Sequence, residues 1–242
     1  MNKIRTYFNW STGKDSALAL YHLLKNPNYT VDELVTTVNS HYNRVSMHGL
    51  RKELLLAQTD AIGIPSSLIE LPEMPDMATY EQKMLETVSR LKDDGFTHSA
   101  FGDIFLEDLR DYREKQLSQQ GFEAVFPIWK RNTKELLNEF LDLGFKTIVV
   151  CANSKYFTED FVGTVIDLNF INNLPKEVDP CGENGEFHTF CFDGPIFKNP
   201  ISFTIGEKVY RVYNNPKNDD DSVCKNDKYG VWYCDLVPNN IF

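Results

Sequence analysis

Two short stretches concentrate the residues able to do chemistry. The first, residues 10 to 16, reads Trp-Ser-Thr-Gly-Lys-Asp-Ser between the apolar run Ile4 to Trp10 and the helix-like Ala17 to Tyr21. A strand that becomes a helix presents backbone N–H groups without intrahelical partners, and the helix dipole favours an anion there. Phosphate is the leading guest. Gly13 lets the backbone bend close to an oxyanion, Lys14 carries a positive charge, and Ser11, Thr12 and Ser16 offer hydroxyl donors. The plainer alternative is a capped turn in which Ser11 or Asp15 satisfies the helix start and Lys14 is solvated. The spacing is not that of the Walker loop.

The second stretch, Asp179-Pro-Cys-Gly-Glu-Asn-Gly-Glu-Phe-His-Thr-Phe, crowds Asp179, Glu183, Glu186 and His188 around two glycines, a composition that predicts a turn rather than a regular element. Such carboxylates either face water or organise a ligand. Metal binding through Glu183, Glu186 and His188 has no standard spacing behind it.

The elements that must position these stretches alternate β-rich and helical, which predicts parallel α/β architecture. Strands are expected at Ile4 to Asn9, Val31 to Asn39, Ser67 to Glu70, Thr97 to Phe101 and Glu123 to Phe126. Helices are expected at Asp15 to Lys25, at His48 to Ile62 with Leu50, Leu54, Ala57 and Ala61 as its apolar stripe, at Tyr80 to Asp93, and at Glu107 to Gln119. Pro127 marks a join, and Asn132 with Glu135 predicts a capped helix from Thr133 to Leu143. A second unit then holds a strand at Lys146 to Cys151, a polar stretch to Pro180, and paired strands at Val209 to Tyr213 and Val231 to Leu236 around the loop 214–228. The chain thus divides into residues 1–128 and 129–242.

Composition narrows the function classes. The 242 residues carry 25 basic and 35 acidic side chains, a formal net charge of −10, which argues against an extended nucleic-acid footprint. No targeting pattern or bilayer-length apolar run is present, so a cytoplasmic protein without a membrane partner is expected. The five cysteines, Cys151, Cys181, Cys191, Cys224 and Cys234, are scattered without a CxxC pair, which points to reduced thiols rather than a disulfide framework or zinc site.

Ser11-Thr12-Gly13-Lys14-Asp15-Ser16 resembles the SGGKDS pyrophosphate loop of the N-type ATP pyrophosphatases, and Gly182-Glu183-Asn184-Gly185-Glu186-Phe187 resembles the GEGGEFE element of their diphthine–ammonia ligase branch. Met47-His48, Gly102-Asp103-Ile104, Arg110, Pro127-Ile128-Trp129, Leu143-Gly144-Phe145 and Gly194-Pro195-Ile196-Phe197 fall in that family's order, so the likeness covers roughly residues 4 to 197. The resemblance implies a Rossmann-like (HUP-type) open parallel sheet with helices on both faces, followed by a smaller α+β domain. It implies an ATP-dependent amide ligase that adenylates a carboxylate, releases pyrophosphate and passes the acyl group to ammonia. ATP would bind through Ser11 to Ser16, His48 and Gly102, with Mg²⁺ at Asp15. Lys14, Glu183, Glu186 and His188 would be catalytic, and Asp103, Arg110, Asn184, Gly185 and Thr189 would face the acyl substrate, carried on a protein or small molecule. A homo-oligomer is left open.

The chain departs from the family at Thr12, which replaces a glycine, at Asn184 and His188 in the second element, at Thr164 where a basic residue is usual, and at Asp103 and Asp108-Leu109. These departures resemble a bacterial branch of the family and leave the acyl substrate open. Two alternatives stand beside the amide ligase: a thiolating or other adenylating enzyme acting on RNA and recruiting Cys151 and Cys181, and a nucleotide-binding module without turnover.

Overall fold

The structure, a computed structural model, describes residues 3–46, 48–214 and 228–239. Met47, Cys224, the acidic run Asp219 to Asp221 and most of the expected loop 214–228 lie outside the described residues.

The first sheet is built on β1 (Ile4–Asn9), which pairs in parallel with β2 (Tyr29–Asn39) on one side and, on the other, with β5 (His98–Ala100). β4 (Ser66–Leu71) adds in parallel to β2, and β6 (Glu123–Val125) to β5. The parallel order is therefore β4-β2-β1-β5-β6, a doubly wound, Rossmann-like arrangement that reverses between β1 and β5. The short β3 (Arg44–Val45) runs antiparallel to the end of β2, beyond the last residue of β1.

Alternation along β1 sends Phe8 to one face and Tyr7 to the other. Phe8 joins Leu18, Leu20, Leu54 and Leu55 of α1 (Lys14–Lys25) and α2 (Lys52–Ile62). Tyr7 joins Val88, Leu91 and Leu117 of α3 (Met77–Asp93) and α4 (Glu107–Gln119). Helices thus cover both faces of the parallel sheet, as the family resemblance implies. The expected start of α2 at His48 is corrected: Gly49 takes the left-handed φ of +67°, and Arg51 is the N-cap, so Leu50 packs from the preceding turn.

The second sheet is antiparallel, in the order β8-β7-β10-β9, from β7 (Lys146–Asn153), β8 (Phe187–Asp193), β9 (Phe203–Asn214) and β10 (Lys228–Pro238). It follows α5 (Thr133–Asp142), whose first turn is capped by Asn132 Oδ1 accepting Glu135 N at 3.1 Å. The polar stretch before Pro180 contains a 3₁₀ turn, Glu159–Phe161, and α6 (Leu168–Asn173), capped by Asp167. Core residues of β7 and β8 cluster with those of α1 and α2, so these two helices lie between the sheets. The Asp235 carboxylate on β10 clamps Arg44 and Arg51 across that contact. No helix among the described residues is long and apolar enough to cross a membrane.

Candidate functional site

The first motif fills the loop between β1 and α1, at the carboxyl ends of the strands where the sheet order reverses. In doubly wound sheets this is where ligands bind. Asn9 Nδ2 locks the end of β1 to β5 through Ser99 Oγ (2.8 Å) and the Ala100 carbonyl (3.0 Å). Ser11 and Ser16 close the loop, hydroxyl to hydroxyl at 2.7 Å. Gly13 is the N-cap of α1 and supplies no capping side chain. Gly102 packs so closely on the helix start that a Cβ there would sit 2.9 Å from Ser16 N. Thr12 has a φ of +75°, a left-handed backbone that a β-branched residue rarely adopts. That conformation is the physical reason glycine suits this position.

Lys14 is 3% exposed. Its ammonium donates to Asp15 Oδ2 at 2.8 Å and to the Cys181 carbonyl, and lies 5.2 Å from the centre of the Phe187 ring. The solvated-lysine reading is therefore corrected: the side chain runs inward to the second motif. Burial opposes its charge, but Asp15 and the other negative neighbours outweigh burial and raise its pKa.

The second motif is a built turn up to Glu186, after which Phe187 opens β8. The expectation of an irregular segment is corrected for Phe187 to Phe190. Asp179 Oδ1 accepts the backbone N–H groups of Cys181 (2.9 Å) and Glu183 (3.2 Å), while Gly182 and Gly185 take positive φ. Glu186, 2% exposed, turns back into the loop and accepts Asp179 N (3.0 Å), Asn184 N (2.9 Å) and Asn184 Nδ2 (3.1 Å). Its carboxylate organises the turn. Asn184 and Gly185 are exposed at the tip.

Glu183 faces the other way. Its Oε1 accepts the Ile104 N–H at 2.8 Å, just past Gly102 and Asp103. Burial, reinforced by Asp15, pushes its pKa up to about 7, with the Ile104 hydrogen bond and Lys14 pulling the other way. Burial also raises the pKa of Asp103, against the pull of Arg113, whose guanidinium reaches the Asp103 carboxylate at 3.1 Å. Lys14, Asp15, Asp103 and Glu183 therefore form one electrostatic group.

On β8, Thr189 Oγ1 accepts Lys14 N at 3.1 Å, which brings β8 onto the first turn of α1. His188 stacks on His48 with ring centres 4.8 Å apart, and His48 Nδ1 lies 3.4 Å from Thr12 Oγ1. Burial lowers both imidazoles, His188 to about 4 and His48 well below its ordinary value, with Lys14 adding to each, so both rings are neutral at pH 7.

The structure thus brings together Ser11 to Ser16, His48, Gly102, Asp103, Glu183, His188 and Thr189. Arg110 goes elsewhere: its guanidinium pairs with Glu114 (2.6 Å) and lies over the Phe126 and Trp129 rings. Thr164 donates to the Asp160 carbonyl, in the polar stretch after β7. Among the described residues no three His, Cys, Asp or Glu side chains are grouped to hold a metal ion. Cys151, Cys181, Cys191 and Cys234 are free and buried, and burial raises every one of their pKa values, that of Cys151 to about 12.

Two residues escape the sequence reading. Arg113 is one charge among many on α4. Gln58 falls four residues after Leu54 on the apolar stripe of α2, and a polar residue on a buried stripe was the available signal.

Comparison with known proteins follows these elements. The diphthamide synthase N-terminal domain matches residues 4–123, and the diphthamide synthase C-terminal domain matches residues 132–217. Among curated proteins, the diphthine–ammonia ligase of Mus musculus is 32% identical over 110 residues, which are 42% of this chain and 41% of that protein. The human diphthine–ammonia ligase is 27% identical over the same shares. That of Schizosaccharomyces pombe is 28% identical over 100 residues, 40% of this chain and 16% of that one. The match thus spans less than half the length of these relatives. Among solved structures, the U34-tRNA thiolase of Methanococcus maripaludis aligns with a TM-score of 0.38 and 15% identity over 60% of this chain and 59% of that chain. With the two domain models spanning most of its length, the chain belongs to the diphthamide synthase family.

Proposed function

We propose that the protein is an ATP-dependent amide ligase that adenylates a carboxylate, releases pyrophosphate and passes the acyl group to ammonia. The reading rests above all on one observation: at the carboxyl ends of the strands where the parallel sheet reverses, the second motif meets the first, with Thr189 on Lys14 N, and meets the end of β5, with Glu183 on Ile104 N. The relatives named diphthine–ammonia ligase support the reaction class and make diphthine the first carboxylate to try.

In this reading the triphosphate lies against Ser11 to Ser16 and the start of α1, with His48 and Gly102 beside it. Helix amides and hydroxyls stabilise the charge that develops on pyrophosphate as it leaves. Lys14 adds its positive charge from beneath the loop. Mg²⁺ arriving with the nucleotide would be held by Asp15, whose carboxylate is partly exposed beside Lys14, and would screen the phosphate charge, as an ion that keeps water and takes one or two carboxylates. A carboxylate oxygen of the substrate attacks the α-phosphorus and the bond to pyrophosphate breaks. Ammonia then attacks the acyl carbon and AMP departs. Glu183, poised near neutrality, takes the proton that ammonium must lose before it can attack. The neutral His188 and the Thr189 hydroxyl hold the acyl group in line, with Asp103, Asn184 and Gly185 at the rim. Glu186 serves by shaping the turn that presents Glu183, and Arg110 by approaching a more distant part of the substrate. We divide the chain into an ATP-binding part, 1–128, and a substrate part, 129–242, and place the protein in the cytoplasm.

The thiolating alternative is disfavoured by the buried, protonated state of the four described cysteines, because the thiolate is the reactive species. The test is to incubate the protein with ATP, Mg²⁺, ammonium and a panel of carboxylates that includes diphthine. Carboxylate-dependent AMP and pyrophosphate are expected. Release of ADP would remove the adenylating class.

A further inference from the structure

Gln58 lies inside the protein, 0% exposed, on the face of α2 turned toward the loop between β1 and α1. Both of its amide hydrogens and its oxygen are engaged. Oε1 accepts the indole N–H of Trp10 at 2.9 Å, and Nε2 donates one hydrogen to the Thr12 carbonyl at 2.9 Å and the other to the Cys191 carbonyl. Only one orientation of the amide satisfies two carbonyls and an indole N–H together. The Thr12 carbonyl is also held by Cys191 N, at 2.9 Å. Two donors therefore fix one carbonyl, in a residue whose φ of +75° its own β-branched side chain disfavours.

A trans peptide is planar, with C=O and N–H pointing to opposite sides. Pinning the Thr12 carbonyl toward Gln58 and β8 turns the Gly13 N–H away from them, to the side where the helix N-terminus receives its anion. We propose that Gln58 is a positioning residue for phosphate binding: it holds the Thr12–Gly13 peptide in the left-handed conformation that aims the loop amide at the nucleotide. The inference rests on the proposal that ATP binds at Ser11 to Ser16, and it explains how a threonine works at a position suited to glycine.

The test is a double-mutant cycle in the full chain with Gln58→Met and Thr12→Gly, reading ATP affinity by calorimetry and thermal stability without nucleotide. Glycine adopts positive φ without strain, so a holder is needed less once Thr12 is gone. Gln58→Met is expected to weaken ATP binding on the order of tenfold in the Thr12 protein and by less than about threefold in the Thr12→Gly protein, a coupling normal for residues in contact. The drop in Tm caused by Gln58→Met is expected to shrink likewise in the glycine background. Equal, additive losses in both backgrounds would overturn the inference and make Gln58 a packing residue. Wild-type protein that fails to bind ATP would overturn the nucleotide reading instead, and the Tm cycle would still report whether Gln58 holds Thr12.

Discussion

Glu183 Oε1 accepts the backbone N–H of Ile104 at 2.8 Å, a hydrogen bond between residues 79 positions apart that ties the second motif to the end of β5. It places a half-buried carboxylate, with a pKa near 7, in the same electrostatic group as Lys14, Asp15 and Asp103.

Glu183→Gln keeps an acceptor for Ile104 N and removes the charge. Because folding raises this pKa from 4.5 to about 7, the folded form holds a proton that the unfolded chain loses, so wild-type stability falls as pH rises from 4.5 through 7. The variant is expected to be more stable than wild type at pH 8, by on the order of 1–3 kcal/mol, and equal to it near pH 4. Its ligase rate is expected to fall ~10²–10⁴-fold. Denaturant titrations at the two pH values, with a product assay, check both.

Glu186→Ala removes three hydrogen bonds from a buried carboxylate and leaves Asp179 N and Asn184 N without their acceptor. A loss on the order of 2–4 kcal/mol is expected. Chemical denaturation measures it; a loss below about 0.5 kcal/mol, the range of ordinary surface changes, would contradict the role given to this side chain.

In the sequence alone Lys14 is a charge facing either phosphate or water, and removal of such a side chain costs an unliganded protein little stability. The structure gives it the Cys181 carbonyl and Asp15 as buried partners, so Lys14→Met is expected to cost on the order of 2–4 kcal/mol without nucleotide, besides weakening ATP binding. Calorimetric melting of the apo variant separates the two expectations.

That contrast marks what was legible in the chain. The β1 to α1 junction and α4 at Glu107–Gln119 follow from local sequence, and the pairing of β9 with β10 is legible too, although β9 begins at Phe203, six residues before the expected Val209. The carboxylate cluster at Asp179 to Glu186 is legible as a cluster. Which member faces the end of β5 is not, because the positive φ of Gly182 and Gly185 turns the chain so that Glu183 reaches Ile104 N while Glu186 points back into the loop. The destination of Lys14 depends on Cys181, 167 residues away, and no local pattern encodes it. Gln58 shows the same limit: its place on an apolar stripe reveals burial, not its partners.

The stacked pair His48 and His188 gives a second pH signature. Both pKa values are depressed by folding, so the unfolded chain takes up protons first, and stability is lost as pH falls from about 6.5 toward 4. Glu183 works in the opposite direction over much of that window. In a Glu183→Gln background the acid-side loss is expected to steepen, and adding His188→Phe, which keeps the stack, is expected to flatten it by up to ~1.4 kcal/mol per pH unit. An unchanged slope would mean that His188 is protonated in the folded protein.

Cys151→Ala with Cys181→Ala is expected to cost on the order of 1–3 kcal/mol in stability while carboxylate-dependent pyrophosphate release continues. A folded double variant that no longer released pyrophosphate would favour the thiolating reading.

The central claim, adenylation at the crevice where the two motifs meet, is tested most directly by exchange of labelled pyrophosphate into ATP. With carboxylate and Mg²⁺ present and ammonia withheld, the wild-type protein is expected to label ATP by reversal of the first step, and Thr12→Gly and Glu183→Gln are to be compared with it at equal ATP saturation. Carboxylate-dependent label in ATP is the expected result. ATP that remains unlabelled, in a protein that forms amide with release of ADP once ammonia is added, would contradict the account.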